Sequence, residues 1–262
     1  MKVAGKRERE IKLSVRSVFN RAAGDYDQYA IIQRCVAHQF GTLLVNSSTI
    51  ETILEIGCGT GFLTEELLRI HPEAQYFATD IAPAMVLACQ NKLKQFPHLK
   101  AFVMDGEAVS LPPEIPQYYD LICSSLAFQW FKDLPESLKI LWARTDRLAF
   151  TTLVTGTFRE WDSLCCQQGI PSLVQPFWGE ADLVKLCQSL NPAAFFFEIK
   201  DEVEVFDSPL DFLRALKKIG AQTPVQSPSA QRGNSSLRSL LTSYPKDEPF
   251  LITYKVAYCV LA

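Results

Sequence analysis

The 262 residues are 48% hydrophobic and 21% charged, with a formal net charge of −3, ordinary values for a globular chain with a sizeable core. That mildly acidic balance gives no general ground for nucleic-acid binding. No apolar run approaches the roughly 18 residues of a membrane span, and the charged N-terminus lacks the apolar stretch of a signal peptide, so a cytoplasmic protein is expected.

Residues 8–22 and 28–45 carry helical periodicity, the second through Ile31, Ile32, Cys35, Val36, Phe40, Leu43 and Leu44. They are joined through Gly24-Asp25-Tyr26-Asp27, where Asp27 can cap the second helix. Residues 52–61 then read T-I-L-E-I-G-C-G-T-G. Ile53, Leu54 and Ile56 suit a buried parallel strand, Gly57, Gly59 and Gly61 a tight turn, and residues 62–70 a helix. Asp80 ends a second apolar stretch (76–79) about twenty residues on, where an acid can take both ribose hydroxyls.

Two cofactor classes compete for this geometry. Dinucleotide sites place a third glycine where this chain has Phe62, and Glu55 would put negative charge near a phosphate. A cofactor with a cationic amino-acid end and no phosphate suits the turn better. E-I-G-C-G-T-G with Asp80 resembles motifs I and II of the class I S-adenosylmethionine-dependent methyltransferases; a dinucleotide oxidoreductase is the competing reading. The resemblance implies an α/β fold: a Rossmann-like, mostly parallel seven-stranded sheet with helices on both faces. Candidate cofactor contacts here are Glu55, Gly57, Cys58, Gly59, Gly61, Asp80 and Ile81. In many such enzymes a Tyr-Asp segment like Tyr26-Asp27 folds over the cofactor, which makes Tyr26 a further candidate.

Pro83 starts a helix through 91–94, and 99–103 is a third strand, after which Asp105 is placed to accept from an adenine amino group, with Gly106 beside it. Residues 119–125 form a fourth strand carrying Ser124, a further candidate cofactor contact, and running into Leu126-Ala127-Phe128-Gln129-Trp130-Phe131. That segment leaves the carboxyl end of a central strand, the edge at which open α/β sheets bind ligands, so Gln129 and Trp130 are substrate-pocket candidates. A helix (134–143) and a fifth strand (147–153) follow, then helices at 158–168 and 181–190. Strands 193–206 and 252–261 fit the antiparallel hairpin that closes a class I methyltransferase sheet. Between them lies an insertion with helices at 209–219 and 235–243, expected to stand over the cofactor as a lid. From 212 to 246 it carries Arg214, Lys217, Lys218, Arg232, Arg238 and Lys246 but no Asp or Glu. Such a surface is either a solvated face or a dock for an anionic substrate or acidic carrier. The eight cysteines include no C-x-x-C, and His38, His71 and His98 are scattered, so buried thiols are expected and no metal. The whole chain is expected to be one domain: N-terminal helices (1–48), cofactor core (49–155) and lid (207–246).

Together these segments resemble the malonyl-acyl-carrier-protein O-methyltransferases of biotin synthesis. The matching motifs are Phe19-Asn20-Arg21-Ala22-Ala23 with Tyr26 and Ala30, Ser125-Leu126-Ala127-Phe128-Gln129-Trp130, Phe150-Thr151-Thr152-Leu153-Val154-Thr155-Gly156, Leu216-Lys217-Lys218-Ile219-Gly220-Ala221 and Leu251-Ile252-Thr253-Tyr254. The resemblance implies S-adenosylmethionine as cofactor and methyl transfer to the free carboxylate of malonyl-acyl carrier protein or malonyl-coenzyme A. It implies Tyr26 over the sulfonium, and Arg214 and Lys217 steering the substrate. One departure stands out: Trp142-Ala143-Arg144-Thr145-Asp146-Arg147 replaces an R-P-G-G type turn. A methyltransferase of another carboxylate or a quinone precursor is the nearest alternative, and a non-catalytic cofactor-binding protein a remoter one.

Overall fold

The computed structural model describes residues 2–45, 50–172, 174–221, 240–241, 244–245 and 247–262, with side chains from Lys12 onward. The N-terminal layer comprises α1 (Lys2–Ala22), the single turn α2 (Tyr26–Tyr29) and α3 (Ile31–Leu44). The core then alternates β1 (Thr52–Ile56), α4 (Phe62–Ile70), β2 (Gln75–Asp80), α5 (Pro83–Lys92), β3 (Leu99–Val103), β4 (Leu121–Ser125), a 3₁₀ turn (Phe128–Trp130), α6 (Leu134–Trp142) and β5 (Leu148–Leu153). It closes with α7 (Arg159–Gln167), α8 (Glu180–Gln188), β6 (Phe195–Phe206), α9 (Pro209–Lys218) and β7 (Phe250–Leu261). No described helix is long and apolar enough to cross a membrane.

The described strands form one seven-stranded sheet in the order β3-β2-β1-β4-β5-β7-β6. β1 pairs in parallel with β2 and β4, β2 with β3, and β4 with β5, while β7 runs antiparallel between β5 and β6. Sandwiched strands are buried on both faces, as parallel sheets covered by helices require: β5 is buried throughout, whereas edge strand β6 alternates. One face packs α3, α4 and α7 through Phe40, Leu67 and Trp161. The other packs α6 and α8 through Leu138 and Leu183. The strand order reverses between β1 and β4, and an open α/β sheet binds its ligand at the carboxyl ends of the strands beside such a reversal.

Several boundaries differ from the expectations. The expected helix over 28–45 is broken at Ala30, whose ψ of 55° is not helical, so α2 and α3 meet at an angle there. Tyr119 makes only an isolated bridge to Thr145 ahead of β4. The departing turn at 143–147 needs no glycine, since none of its residues adopts positive φ. All eight cysteines are free thiols, but Cys35 and Cys166 are exposed rather than buried. The expected helix over 235–243 falls almost wholly outside the described residues.

The insertion's described part is anchored at both ends. Phe212 of α9 is fully buried among Phe158, Trp161, Phe206 and Phe250, with ring centroids 5.3–6.1 Å away. Beyond the helix, Gly220 (φ +74°) lies against α1 so closely that a Cβ would sit 3.2 Å from the Val18 carbonyl oxygen.

Candidate cofactor cleft and active site

β1 delivers the chain to a turn built from left-handed backbone: φ is +74° at Gly57, +55° at Gly59 and +92° at Gly61. The amides of Gly57 and Cys58 both donate to the Thr79 carbonyl at 2.8 Å, which fixes the turn against the end of β2. A Cβ on Gly57 would lie 2.4 Å from Ala127 Cβ, and one on Gly61 2.9 Å from Cys89 Sγ. Gly61 thus supplies the close helix packing that Phe62, one residue on, cannot.

Around the turn opens a cleft of about 1180 Å³, counting the space open to solvent. The structure brings Tyr26, Glu55, Gly57, Cys58, Gly59, Asp80, Ile81, Asp105, Gly106 and Trp130 to its walls. Ile56, Leu63, Met85, Met104, Leu126 and Phe131 make much of the remainder apolar. Asp80 accepts the Gly59 amide at Oδ2 (3.0 Å) and the Ala82 amide at Oδ1 (2.8 Å), so both oxygens are fixed with lone pairs to spare. Asp105 accepts Lys12 Nζ at 2.7 Å, and the same ammonium lies 3.0 Å from Glu107. Gly106 is obligatory beside them, since a Cβ there would meet Ile56 Cγ2 at 2.4 Å and Phe131 Cζ at 2.7 Å.

Glu55 is 1% exposed and accepts hydrogen bonds from Thr64 Oγ1 (2.6 Å) and the Tyr76 hydroxyl (2.7 Å). Burial outweighs those two donors and raises its carboxyl to about 7. Burial likewise raises Asp80 to about 6 against its two amide donors. A ligand phosphate beside Glu55 would oppose ionisation further, whereas a ligand ammonium would favour it. The turn therefore fits a cationic amino-acid end, and Asp80 fits a pair of hydroxyls.

Both carboxyls bind protons more tightly folded than unfolded, so between about pH 4 and pH 7 the folded state carries more protons. Stability attributable to them therefore falls as pH rises through that window. For Glu55 the loss is on the order of 3 kcal/mol. Subtracting thermal or urea melts of Glu55→Gln from those of the unaltered protein, pH by pH, should give a difference that shrinks from pH 4.5 to 7. Parallel curves would mean that Glu55 is not desolvated.

The expected site residues that are not brought to the cleft are Gly61, Ser124, Gln129, Arg214 and Lys217. Ser124 is fully buried and donates to the Ile56 carbonyl at 2.8 Å, tying β4 to β1. Gln129 turns its amide onto the Leu126 carbonyl at 2.6 Å. Arg214 and Lys217 lie on α9, exposed, and no described residue of the insertion lines the cleft. The cover that is seen comes instead from the N-terminal layer: Lys12, Val15, Phe19 and Tyr26. Phe19 meets Trp130 edge to face at 5.5 Å, and Asn20 Oδ1 accepts the Ala84 amide at 2.9 Å, capping α5 from α1. The spacing of 12, 15 and 19 puts these three residues on one helical face, a signal present in the sequence.

The insertion's acid-free run is also less bare than its sequence. Arg214 pairs with Asp211 at 2.9 Å, one residue before the run, and Lys218 with Asp25 at 2.6 Å. Lys217 has no acidic partner among the described residues. Arg232, Arg238 and Lys246 lie outside the described residues.

A methyltransferase-domain family model matches residues 54–146. A malonyl-acyl-carrier-protein O-methyltransferase of Magnetococcus marinus is 36% identical over 252 residues, covering 92% of this chain and 88% of the relative. Its counterpart in Priestia megaterium is 32% identical, covering 92% of each chain. The biotin biosynthesis bifunctional protein of Bordetella avium is 33% identical over 94% of this chain and 51% of its own length. Among solved structures, the YcgJ protein of Bacillus subtilis has a TM-score of 0.58 at 14% identity, covering 85% of this chain and 97% of that one. The plantazolicin methyltransferase BpumL, solved with S-adenosylhomocysteine, has a TM-score of 0.55 at 15% identity over 98% of both chains. These two likenesses concern the fold alone.

Proposed function

The chain belongs to the malonyl-acyl-carrier-protein O-methyltransferase family, and from that premise we propose that it methylates the free carboxylate of malonyl-acyl carrier protein, using S-adenosylmethionine. The resulting methyl ester is the starting unit for pimeloyl synthesis on the route to biotin. The observation that carries the reading is kinship over 92% of the chain, which takes in far more than the cofactor-binding half.

The bound sulfonium supplies an activated methyl group with a neutral thioether as leaving group. The protein's own residues have little bond-making to do, because a malonyl carboxylate, with a reference pKa near 4, is already ionised at neutral pH. No general base is required. Asp80 holds the ribose hydroxyls, Glu55 lies on the side of the ammonium, and Asp105 marks the adenine end with Lys12 bridging it to Glu107. Tyr26, half-buried on the cleft wall, keeps its proton: burial, with Asp80 and Asp27 nearby, drives its pKa well above the usual range. It is therefore a neutral donor and an aromatic cover. The apolar walls exclude water and fix the line of attack, and alignment of reactants accounts for most of the rate.

The carrier is acidic in this reading and docks on the basic insertion. Exposed ion pairs such as Arg214 with Asp211 are worth about 0–1 kcal/mol, so a partner's carboxylates can take over those cations at little cost. Lys217→Glu should raise KM for the malonyl carrier about 10-fold at low ionic strength, an effect that fades in high salt, and leave cofactor affinity unchanged. An equal loss of cofactor affinity would remove α9 from the docking surface. The reaction itself is tested by mass spectrometry of malonyl-carrier incubated with enzyme and S-adenosylmethionine. A gain of one methyl on the distal carboxylate is expected; transfer to another acceptor in its place would overturn the assignment.

A further inference from the structure

We propose that Asp27 is the positioning residue that holds Tyr26 on the cofactor cleft and locks it to the glycine turn. The proposal rests on the reading of Tyr26 given above. α2 is four residues long, too short to be stable alone, and Asp25 at its N-cap makes no side-chain bond to it. Nor does the Tyr26 hydroxyl have a hydrogen-bond partner among the described residues. Something outside α2 must hold the segment in place.

Asp27 provides the connection. It is not the helix cap that its sequence position suggests; its carboxylate leaves α2 altogether. Oδ1 accepts Thr60 Oγ1 at 2.5 Å, and Oδ2 pairs with Lys92 Nζ at 2.5 Å. Lys92, on α5, also approaches Thr60 Oγ1 at 3.4 Å and lies 4.5 Å above the Phe62 ring. Arg34 donates to the Asp27 carbonyl at 2.5 Å and lies 5.0 Å from the same ring. Tyr26 packs against Phe62 at 6.2 Å. Thr60 is 2% exposed and stands between Gly59, whose amide holds Asp80, and Gly61, which opens α4.

One carboxylate thus joins the N-terminal cover to the turn, and through Lys92 to the helix after β2. Charge-assisted bonds of this kind are short and directional. Because Asp27 is covalently next to Tyr26, any slackening at Thr60 moves the tyrosine relative to Asp80. Misplacement of about 1 Å at a reacting centre can cost 10²-fold in rate, so Asp27 acts on turnover through Tyr26, without touching the substrate.

The test is a cycle in the full-length enzyme with malonyl carrier and S-adenosylmethionine: Asp27→Ala, Tyr26→Ala and the double variant, with Thr60→Val approaching the same contact from the turn. Asp27→Ala should lower kcat about 10–100-fold, with KM for the carrier within about twofold, and Thr60→Val should follow in the same direction. The double variant should be no slower than Tyr26→Ala alone, because the two act as one unit. Multiplying effects, or full turnover by Asp27→Ala where Tyr26→Ala is slow, overturn the Asp27 assignment and leave the Tyr26 reading standing. Full turnover by Tyr26→Ala overturns both. If Asp27→Ala does not fold, the Thr60→Val and Tyr26→Ala pair completes the same cycle.

Discussion

Gly57→Ala is expected to weaken cofactor binding more than about 100-fold and to lower stability by roughly 2–4 kcal/mol, from left-handed strain and overpacking together. The new methyl would lie 2.4 Å from Ala127 Cβ. Ala127 cannot retreat easily, because Leu126 before it is already at φ +50° with its amide held by Thr151 O (3.0 Å) and Oγ1 (3.2 Å). The turn must move instead, pulling on the Thr79 carbonyl that anchors it and on the floor of the cleft. Gly59→Ala is the control. A Cβ there meets no protein atom within 4 Å, so for stability only the backbone penalty of about 1–2 kcal/mol applies. Calorimetric titration of S-adenosylhomocysteine into both variants, with thermal melts, separates the cases. Equal losses of stability at 57 and 59 would mean that φ, rather than contact with Ala127, sets the demand for glycine.

Asp80→Asn should match that loss of affinity, at least about 100-fold, with a much smaller change in stability. The carboxylate presents an acceptor to each of two amides, Gly59 and Ala82. An asparagine has one oxygen, and its NH₂ must face the other N–H, so one backbone bond becomes a donor–donor contact. A backbone N–H donor left unsatisfied in a buried site costs about 1–3 kcal/mol, and the charged acceptor for the ribose hydroxyls is lost as well. The folded state is partly compensated, since the variant no longer buries an ionisable carboxyl. Titration of the same ligand, alongside melts across pH 4–7, reads both quantities; unchanged affinity would put the sugar elsewhere.

The sheet and its cofactor edge were legible because they are local. Apolar runs of five or six residues with glycine and acid at their tips specify β1, β2 and the turn between β1 and α4 without knowledge of the rest of the chain. Ser124 was misplaced by the two-residue period of a strand: it points across to β1, and Ser125, Leu126 and Ala127 line the cleft instead. The cover was harder to see. Lys12 meets Asp105 across 93 positions of sequence, and Asp27 meets Thr60 across 33, so no local pattern reports either pair. The insertion was expected over the cofactor from its place between the last two strands, and most of it lies outside the described residues. Phe212 and Gly220 seat its described part against the aromatic cluster and α1.

The antiparallel hairpin also sets an order of assembly. Among the described residues β6 pairs with no strand except β7, along all twelve of its positions, and β7 is made only after the whole insertion. On the ribosome, β6 therefore waits as a long unpaired ribbon with Val203 and Val205 outward, while β5 is left as a raw edge. Such an interval is where nascent chains mispair or recruit chaperones. The vulnerable period in this protein's life is thus its birth, and changes that slow emergence of β7 should cost yield of soluble enzyme while sparing the specific activity of what survives.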